Sequence, residues 1–301
     1  MKTIIFVLAT VWCIFSMSGY LLANTIVTDG LVSYWTFDLN NIDGNLVEDV
    51  WGENHAEIVG QTNISDGYIR QGLELKGLKN YVIIPNFGNF GSQLGPFTFE
   101  IIVKTSYKIS WTPIYRVVEA PHCDKGNRGH GILINATIDF QNRGAFPLPL
   151  NNMVTKEDSI YLQRSFRRQN GCSSHSSGFP SQISDGKWHH IVYTYGAPFT
   201  DDSGNEWRQS SLYVDGEQKY GRRFNPSNPE DALPYTQPIY LGAINKNGNA
   251  TRPFRGIIDE VRVYDRGLSY EEVNQNYQSK IGLGVESTHK LPTIWGTLKK
   301  R

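Results

Sequence analysis

The stretch from Asp185 to Gly216 constrains the fold more than any other part of the sequence. Its first run, W-H-H-I-V-Y-T-Y at 188–195, places largely apolar or aromatic side chains at both odd and even positions. A strand with this pattern is expected to be covered on both of its faces. The second run, S-L-Y-V, ends at Asp215-Gly216, a dipeptide typical of tight turns. The stretch therefore predicts two strands of one antiparallel sheet in the middle of a sandwich.

Length and composition agree with a packed β protein. A chain of 301 residues has room for one large β-sandwich. Its 16 tyrosines, 14 phenylalanines and 7 tryptophans supply the aromatic residues that strands favour. The 29 basic and 29 acidic residues balance to a formal charge of zero. The overall charge therefore gives no support to a nucleic-acid partner, and we expect none.

The two ends of the chain are predicted to lie outside the folded domain. Residues 1–23 combine the positive Lys2 with an apolar run at 4–15 and a plausible cleavage site, the pattern of a secretory signal peptide. Neither this run nor any later window is long enough to span a membrane. We therefore expect an exported chain, secreted or at the cell surface, without a transmembrane anchor. Residues 281–301 lose apolar periodicity and end in Lys-Lys-Arg, which predicts a linker and a short basic tail.

Two cysteines, Cys123 and Cys172, remain after the signal peptide. In an oxidising compartment the expected arrangement is one disulfide, which closes a loop of about 50 residues and contributes roughly 3–4 kcal/mol. The alternative is a zinc site, because His122 precedes Cys123 and His175 follows Cys172 at C-x-x-H spacing. The adjacency of His122 and Cys123 is unusual for metal ligands, which favours the disulfide.

Short apolar runs separated by turn residues follow one another along the rest of the chain. Runs rich in β-branched and aromatic residues predict strands at 31–38, 46–47, 55–60, 68–75, 81–85, 97–105, 111–119, 131–135, 160–166, 238–243 and 254–265. The Ser-rich segment 171–178 is expected to be a loop. One helix is predicted at 269–277, with Ser269 as its N-cap and Glu272 in the capping-box position. Without βαβ alternation, this order indicates an all-β antiparallel sandwich.

A set of segments occurs in the order of one domain. They are Y-W-T-F-D at 34–38, D-V-W-G-E-N-H-A at 49–56, Q-G-L-E-L-K-G at 71–77, Y-V-I-I-P at 81–85, F-T-F-E-I-I-V-K at 97–104, D-G-K-W-H-H-I-V-Y-T-Y at 185–195, L-Y-V-D-G at 212–216, P-I-Y-L-G at 238–242 and F-R-G-I-I-D-E-V-R-V-Y-D-R-G-L-S at 254–269. Together they resemble the laminin-G-like (LamG-like) jelly rolls of the concanavalin A-like lectin/glucanase superfamily. The resemblance implies a jelly-roll β-sandwich over residues 24–280, an exported or cell-surface location, frequent calcium, and binding rather than catalysis.

Calcium is the cofactor that the resemblance implies. Domains of this kind gather calcium ligands at the positions that Asp38, Asp49 and Asp259 occupy in this sequence. Calcium takes about six to eight hard oxygen ligands, usually carboxylates and carbonyls on loops. The alternative interpretation is structural, with Asp38 and Asp49 as turn residues and Asp259 as a capping or pairing group in the last strand.

His189 and His190 are the residues that most invite a catalytic interpretation. A general base needs an orienting partner and a nucleophile, and the sequence has no G-x-S-x-G or comparable frame. The resemblance instead makes both histidines sheet residues, one on each face. Retaining glycoside hydrolysis needs two nearby carboxyls, which an E-x-D-x-E strand would supply, and the sequence contains no such run. A polysaccharide-active enzyme, a glycoside hydrolase or lyase, is the alternative function.

Arg164, Arg167 and Trp207 are the candidate ligand contacts. The two arginines belong to a small basic cluster suited to an acidic glycan, and Trp207 is suited to stacking on a sugar ring. A solvated strand edge is the alternative explanation for the arginines. The sequence thus predicts a secreted, non-catalytic module that recognises a carbohydrate or an extracellular or cell-surface protein.

Overall fold

The computed structural model describes most of the chain between residues 25 and 279. The described ranges are 25–77, 79–85, 95–118, 129–135, 138–141, 151–155, 159–168, 171–197, 199–224, 238–246 and 249–279. The predicted signal peptide at 1–23 and the predicted tail at 281–301 lie outside these ranges. Cys123 and the side chain of Cys172 also lie outside the described part, so the disulfide and its zinc alternative stay predictions.

The first sheet, sheet A, contains the strand pair that the opening sequence pattern predicted. In spatial order its strands are β16 (Phe199–Thr200), β17 (Glu206–Val214), β15 (Trp188–Tyr195), β8 (Phe97–Lys104), β22 (Arg255–Tyr264), β6 (Gln71–Lys76) and β5 (Asn63–Asp66), with β18 (Glu217–Phe224) beside β17 and β1 (Leu31–Trp35) beside β22. Strands β15 and β17 are antiparallel, as predicted. Asp215 and Gly216, with φ of 53° and 76°, form the tight turn from β17 to β18.

The second sheet, sheet B, is also antiparallel. In spatial order its strands are β14 (Gly171–Pro180), β13 (Ser159–Arg168), β10 (Gly129–Ile134), β9 (Thr112–Val118), β19 (Ile239–Leu241), β7 (Tyr81–Ile84), β4 (Ala56–Val59), β3 (Leu46–Val47) and β2 (Ile42–Asp43). Two ribbons complete the described strands, β11 (Ile138–Gln141) with β12 (Asn151–Thr155) and β20 (Ile244–Lys246) with β21 (Asn249–Thr251). A 3-10 turn at Leu39–Asn41 precedes β2.

The main hydrophobic core fills the space between the two sheets. Alternate residues of β8, including Phe99 and Ile101, point into it from sheet A, and Val82 and Ile132 enter it from sheet B. The ring centres of Phe99 and Tyr115 lie 3.9 Å apart, in contact between the two sheets. Such two-sheet packing is the predicted all-β sandwich, and the structure confirms the fold class.

A second apolar layer covers the outer face of sheet A. It joins the helix α1 (Tyr270–Gln278) and the chain segment around Ile26 to Val192 and Tyr213 of the sheet. Ser269 and Glu272 form the predicted capping box at the start of the helix. Strand β15 is therefore buried on both faces, as its sequence pattern predicted. Among the described residues, no helix is long and apolar enough to cross a membrane.

A cluster of buried charges lies beneath this second layer. Glu100 is fully buried, and its carboxylate accepts hydrogen bonds from Arg262 Nη1 (2.6 Å) and Asn276 Nδ2 (2.7 Å). His190 Nε2 lies 2.7 Å from the same carboxylate. Burial by itself would raise the pKa of Glu100, but the charges of Arg262 and His190 lower that pKa to about 2. The cluster therefore joins β8, β15, β22 and the helix through one ionised group.

Segment 171–178, predicted to be a loop, is part of the ten-residue strand β14. It pairs with β13 over the whole length, from Ser159 opposite Pro180 to Arg168 opposite Gly171. Serine has little intrinsic preference for strands, so local sequence does not reveal this element. The hydrogen-bonded ladder with β13 supplies the stabilisation instead, because it satisfies the backbone groups of both strands.

We expect Glu100→Gln to lower the free energy of unfolding by about 3 kcal/mol. This is the low end of the cost of breaking a buried ion pair, because Arg262 keeps Glu260 as a second partner. Urea unfolding followed by intrinsic fluorescence measures the change. The matched control is Glu57→Gln at an exposed position of β4, which should change stability by less than about 0.5 kcal/mol. Equal effects of the two substitutions would contradict the structural role of the cluster.

Candidate functional site

Several strands of sheet A end at the same edge of the sandwich. Trp188, at the start of β15, lies opposite Lys104 at the end of β8, and Lys104 lies opposite Ile257 near the start of β22. Ile257 in turn lies opposite Glu74 near the end of β6. The loop 181–187 enters β15 at this edge. Two open clefts lie here, one lined by Asp185 of this loop and the other by its neighbour Gly186. We call this edge the clefted end.

The first cleft, which we call the histidine cleft, has a volume of about 540 Å³. Its polar lining includes Gln182, Asp185, His189, Asp215, Glu217 and Lys219. His189 is one of these lining residues, with Nδ1 2.8 Å from Asp215 Oδ2 and Nε2 2.9 Å from Asp185 Oδ1. The imidazole therefore links the loop 181–187 to the turn between β17 and β18.

The two aspartates favour the charged form of His189. The hydrogen bond to Asp215 is the largest cause that raises the pKa of His189, and the bond to Asp185 adds to it against the effect of burial. Burial raises the pKa of Asp185, but hydrogen bonds from His189 and Lys187 outweigh it and lower this pKa to about 2. Both ring nitrogens thus have carboxylate partners, and neither is free to accept a proton from a substrate. We call this bridge from Asp185 through His189 to Asp215 the His189 clasp.

The second cleft, which we call the cationic groove, has a volume of about 530 Å³. Its polar and aromatic lining includes Glu74, Lys76, Lys104, Ser106, Tyr107 and Arg255. The Lys104 ammonium lies 5.8 Å from the ring centre of Trp188, and the Arg255 guanidinium lies 4.8 Å from that of Tyr107. Cations so close to aromatic faces gain electrostatic stabilisation that limits their motion.

Glycine allows the strands beneath the groove to approach closely. Gly256 has a φ of 151°, and a Cβ at this position would lie 2.3 Å from the Lys104 carbonyl oxygen. Gly77 has a φ of 86°, and its Cβ would lie 2.7 Å from Arg255 Nε. A larger residue at 77 would displace the Arg255 side chain, and one at 256 would push the backbones of β22 and β8 apart, so both glycines contribute to the shape of the groove.

Asp49, predicted as a calcium ligand, lies away from the clefted end in a loop that it organises. Its Oδ1 accepts backbone N–H groups of Tyr34 (2.8 Å), Trp51 (3.1 Å) and Gly52 (2.9 Å), and its Oδ2 accepts that of Asn54 (3.1 Å). N–H donors occupy the directions from which a cation would approach. The geometry of Asp49 therefore fits the structural alternative better than a metal ligand.

Asp38 and Asp259, the other two predicted ligands, support the same turn. Asp259 Oδ2 accepts the backbone N–H groups of Tyr68 (2.7 Å) and Ile69 (3.0 Å), and Asp38 Oδ1 accepts that of Gln71 (3.1 Å). Both carboxyls are buried. These hydrogen bonds connect the turn 67–70 to β22 through Asp259 and to the segment after β1 through Asp38.

The surroundings of Asp259 and Asp38 raise the pKa values of both carboxyls. Burial, followed by the neighbouring Glu260 carboxylate, raises the pKa of Asp259 to about 9. Burial also raises the pKa of Asp38, against the effects of the Gln71 N–H and the Arg70 guanidinium. Within the described ranges, no three or more His, Cys, Asp or Glu side chains are grouped as a metal site.

The three predicted ligand contacts lie away from the clefted end. Trp207 belongs to the β16–β17 hairpin, where it lies opposite Phe199 and its indole N–H donates to Asp201 Oδ2 at 2.7 Å. Arg164 and Arg167 belong to β13 of sheet B, and their side chains lie outside the described part. The groove residues were missed because each is an ordinary strand-end residue in the sequence. Only the pairing of strands distant in sequence brings them together.

The comparisons with known proteins agree with this architecture. A laminin G family model, described as concanavalin A-like lectin/glucanases superfamily, matches residues 76–274. Comparison with curated proteins finds no match.

Solved structures with similar folds include two toxin domains. The binding domain of Paraclostridial Mosquitocidal Protein 1 aligns with a TM-score of 0.53 at 14% identity, over 83% of this chain and 52% of that one. The binding domain of Botulinum neurotoxin DC in complex with SialylT aligns with 0.52 at 12% identity, over 83% and 51%. The chain thus spans about half the length of these two domains, and the likeness gives the fold.

A third similar structure is domain 4 of AbnA, a GH43 extracellular arabinanase from Geobacillus stearothermophilus, in complex with arabinotriose. Its TM-score is 0.45 at 18% identity, over 82% of this chain and 98% of that domain.

We expect His189→Gln to destabilise the protein by about 1–2 kcal/mol in mildly acidic solution and by much less in alkaline solution. The folded state raises the pKa of His189 above its ordinary 6.5, so this stabilisation is complete below pH 6.5 and is lost as pH rises through the folded pKa. The lowered pKa of Asp185 sets the acidic limit of this stabilisation. The contribution of Asp185 to stability is present above its ordinary pKa of 3.8 and is lost as pH falls through about 2.

Urea unfolding of the wild type and of His189→Gln between pH 4 and 9 measures this difference. The control, Lys219→Gln in the same cleft, removes the partner of Glu217 and leaves the contacts of His189 with Asp185 and Asp215 intact, so it should not reproduce the pH dependence of His189→Gln. A His189→Gln effect that is constant or grows with pH would contradict the clasp.

Proposed function

The chain belongs to the laminin G family of the concanavalin A-like lectin/glucanases superfamily, and from this membership and the clefted end we propose that it is a non-catalytic carbohydrate-binding module. The observation that carries the proposal is the pair of adjacent open clefts at one edge of the sandwich. Their volumes of about 540 and 530 Å³ are within the range of small-ligand sites. Both linings include several polar and charged side chains, which suit the hydroxyl-rich surface of a sugar.

The clefted end is built as a binding surface on a rigid scaffold. Loop 181–187 separates the two clefts, and the His189 clasp fixes it to the turn after β17. Gly186 N–H also donates to the Thr105 carbonyl at 2.9 Å, which ties the loop to the end of β8. A loop that is held in the free protein loses little conformational entropy when a ligand binds.

The hydrogen bonds that acidic side chains make within the protein support binding rather than catalysis. In the described part of the chain, the buried carboxylates of Glu100, Asp49 and Asp259 all accept hydrogen bonds from protein groups. At the histidine cleft, Asp185 and Asp215 are bound to His189. Glycoside cleavage requires a pair of carboxyls that face the substrate, one of them able to deliver a proton.

Similar structures support the fold and leave the ligand to be determined from this chain. One domain with this fold was solved in complex with SialylT, but at 12% identity and over about half of its length. Its ligand is therefore not carried over. The proposal rests on the clefts and on the family, whose description includes lectins.

Calcium is part of the proposal, at Asp38 and Asp259, which accept one and three backbone N–H groups, against four at Asp49. Two buried carboxyls with raised pKa values suit a divalent cation, which would replace the protons that they otherwise take up. Main-chain carbonyls of nearby loops would complete the oxygen ligands. Calcium there would stabilise the turn 67–70 and would take no part in a reaction. We further infer that the chain is exported, from the pattern of residues 1–23.

The proposed function predicts binding to at least one oligosaccharide without cleavage. A glycan array with the labelled protein, run with calcium and with EDTA, identifies ligands. Incubation with the matching polysaccharide, read for new reducing ends, tests cleavage. Binding with no new reducing ends supports the proposal. New reducing ends would instead establish the polysaccharide-active alternative, and no binding to any glycan would contradict carbohydrate recognition.

We expect EDTA to lower the melting temperature by about 5–10 °C relative to calcium at a hundredfold excess over its Kd. Asp38→Asn removes a proposed ligand and should abolish this difference. The control is Asp202→Asn in an exposed loop, which should leave the calcium response unchanged. Differential scanning fluorimetry measures all three proteins, and a wild-type melting temperature that is the same in calcium and EDTA would contradict the calcium site.

A further inference from the structure

We propose that the cationic groove recognises an acidic sugar, a carboxylate-bearing residue of a polysaccharide, through Lys104, Arg255 and Lys76. The inference rests on the proposed function and specifies its ligand class. Arginine and lysine bind carboxylates through charge-assisted hydrogen bonds, which are about twice as strong as neutral ones.

The cations of the groove are available to a ligand. Among the described residues, Lys104 and Arg255 have no ion-pair partner, and their side chains lie against the aromatic faces of Trp188 and Tyr107. Lys76 lies 3.8 Å from Glu74 in an exposed pair. Three cations against one carboxylate leave an excess of two positive charges in the groove. Because the whole chain has a formal charge of zero, this excess is a local feature.

The aromatic contacts hold two of these cations ready for a ligand. A flexible lysine or arginine side chain loses rotamer entropy when it is immobilised, which reduces the net gain from an ion pair. The Trp188 ring restricts Lys104, and it also makes an edge-to-face contact with Tyr68, whose ring centre lies 6.2 Å away. Tyr107 restricts Arg255, and its carbonyl accepts a hydrogen bond from Asn135 Nδ2 at 2.9 Å.

Glu74 favours a sugar ring that carries one carboxylate over a ring that carries several anionic groups. Its carboxylate lines the groove and accepts a hydrogen bond from Asn63 Nδ2 at 3.2 Å, which holds it in place. It would repel a second nearby anion, whereas it can accept hydrogen bonds from sugar hydroxyls. Ser106, exposed in the same lining, adds a hydroxyl that donates and accepts. One carboxylate flanked by hydroxyls, as in a uronic acid, matches this mixture.

The test measures binding of polygalacturonate and of its fully methyl-esterified form by affinity gel electrophoresis. The two polymers share a backbone and differ only in the carboxylate charge. Wild-type protein should bind the acidic polymer at least about tenfold more tightly than the neutral ester. The double substitution Lys104→Gln with Arg255→Gln should weaken binding of the acidic polymer by about ten- to a hundredfold.

Two control proteins separate the effect of charge in the groove from effects on folding and from the loss of a cation elsewhere on the surface. Lys104→Arg with Arg255→Lys keeps both charges and should bind the acidic polymer more tightly than the double glutamine variant, but less tightly than the wild type, because lysine at 255 lacks the planar guanidinium that stacks on Tyr107. Arg223→Gln removes an exposed cation that lies against Phe199 and lines neither cleft, and it should leave binding unchanged. Thermal melts confirm that every variant is folded before it is compared.

Each result decides the inference. Equal binding of the acidic and the esterified polymer, or full binding by the double glutamine variant, would overturn the assignment of the groove. Equally tight binding of dextran sulfate would overturn it in favour of general polyanion binding. If the protein binds neutral glycans on the array but not polygalacturonate, only the ligand class fails. If it binds no glycan at all, the proposed function fails with it.

Discussion

The buried carboxylate of Glu100 is the interaction on which the rest of the structure depends. It accepts hydrogen bonds from the strands on both sides of β8 and from the C-terminal helix, through Arg262, His190 and Asn276. Asn276 Oδ1 also accepts the backbone N–H of Val27, so the two ends of the domain meet above this charge. An ion so deeply buried is tolerated only when its partners are all in place, and a shifted register would leave it unpaired.

The register that this cluster maintains determines what is presented at the clefted end. The strands of sheet A pair in a register that places Trp188, Lys104, Ile257 and Glu74 in one row across the sheet. A slip of one residue in any strand would turn its side chain to the other face. The groove thus consists of ordinary strand-end residues whose positions are set by distant pairing. The loop beside them is held by the His189 clasp, and rigid support of this kind suits a binding surface.

Buried and exposed charged residues have different roles in this neutral chain. Glu100, Asp49 and Asp259 are buried and satisfy backbone or side-chain donors, so they stabilise turns and strand pairing. Lys104 and Arg255 lie at the surface against aromatic rings. Formal neutrality therefore conceals a local excess of positive charge, which net charge alone does not reveal. The predicted absence of a nucleic-acid partner followed from that net charge and concerns the global field only.

Local sequence patterns by themselves determined the fold class, the strand pair of β15 and β17, and the capped helix. Alternation with period two and a capping box are readable within about ten residues, because they depend on neighbours along the chain. Strand β14 was not readable, since the serine-rich segment owes its conformation to a ladder with β13. The cationic groove was not readable either, because Lys76, Lys104 and Arg255 come from three strands far apart in sequence. Only the tertiary structure decided where these cations meet, because cross-strand pairing, rather than any sequence motif, brings them to one edge.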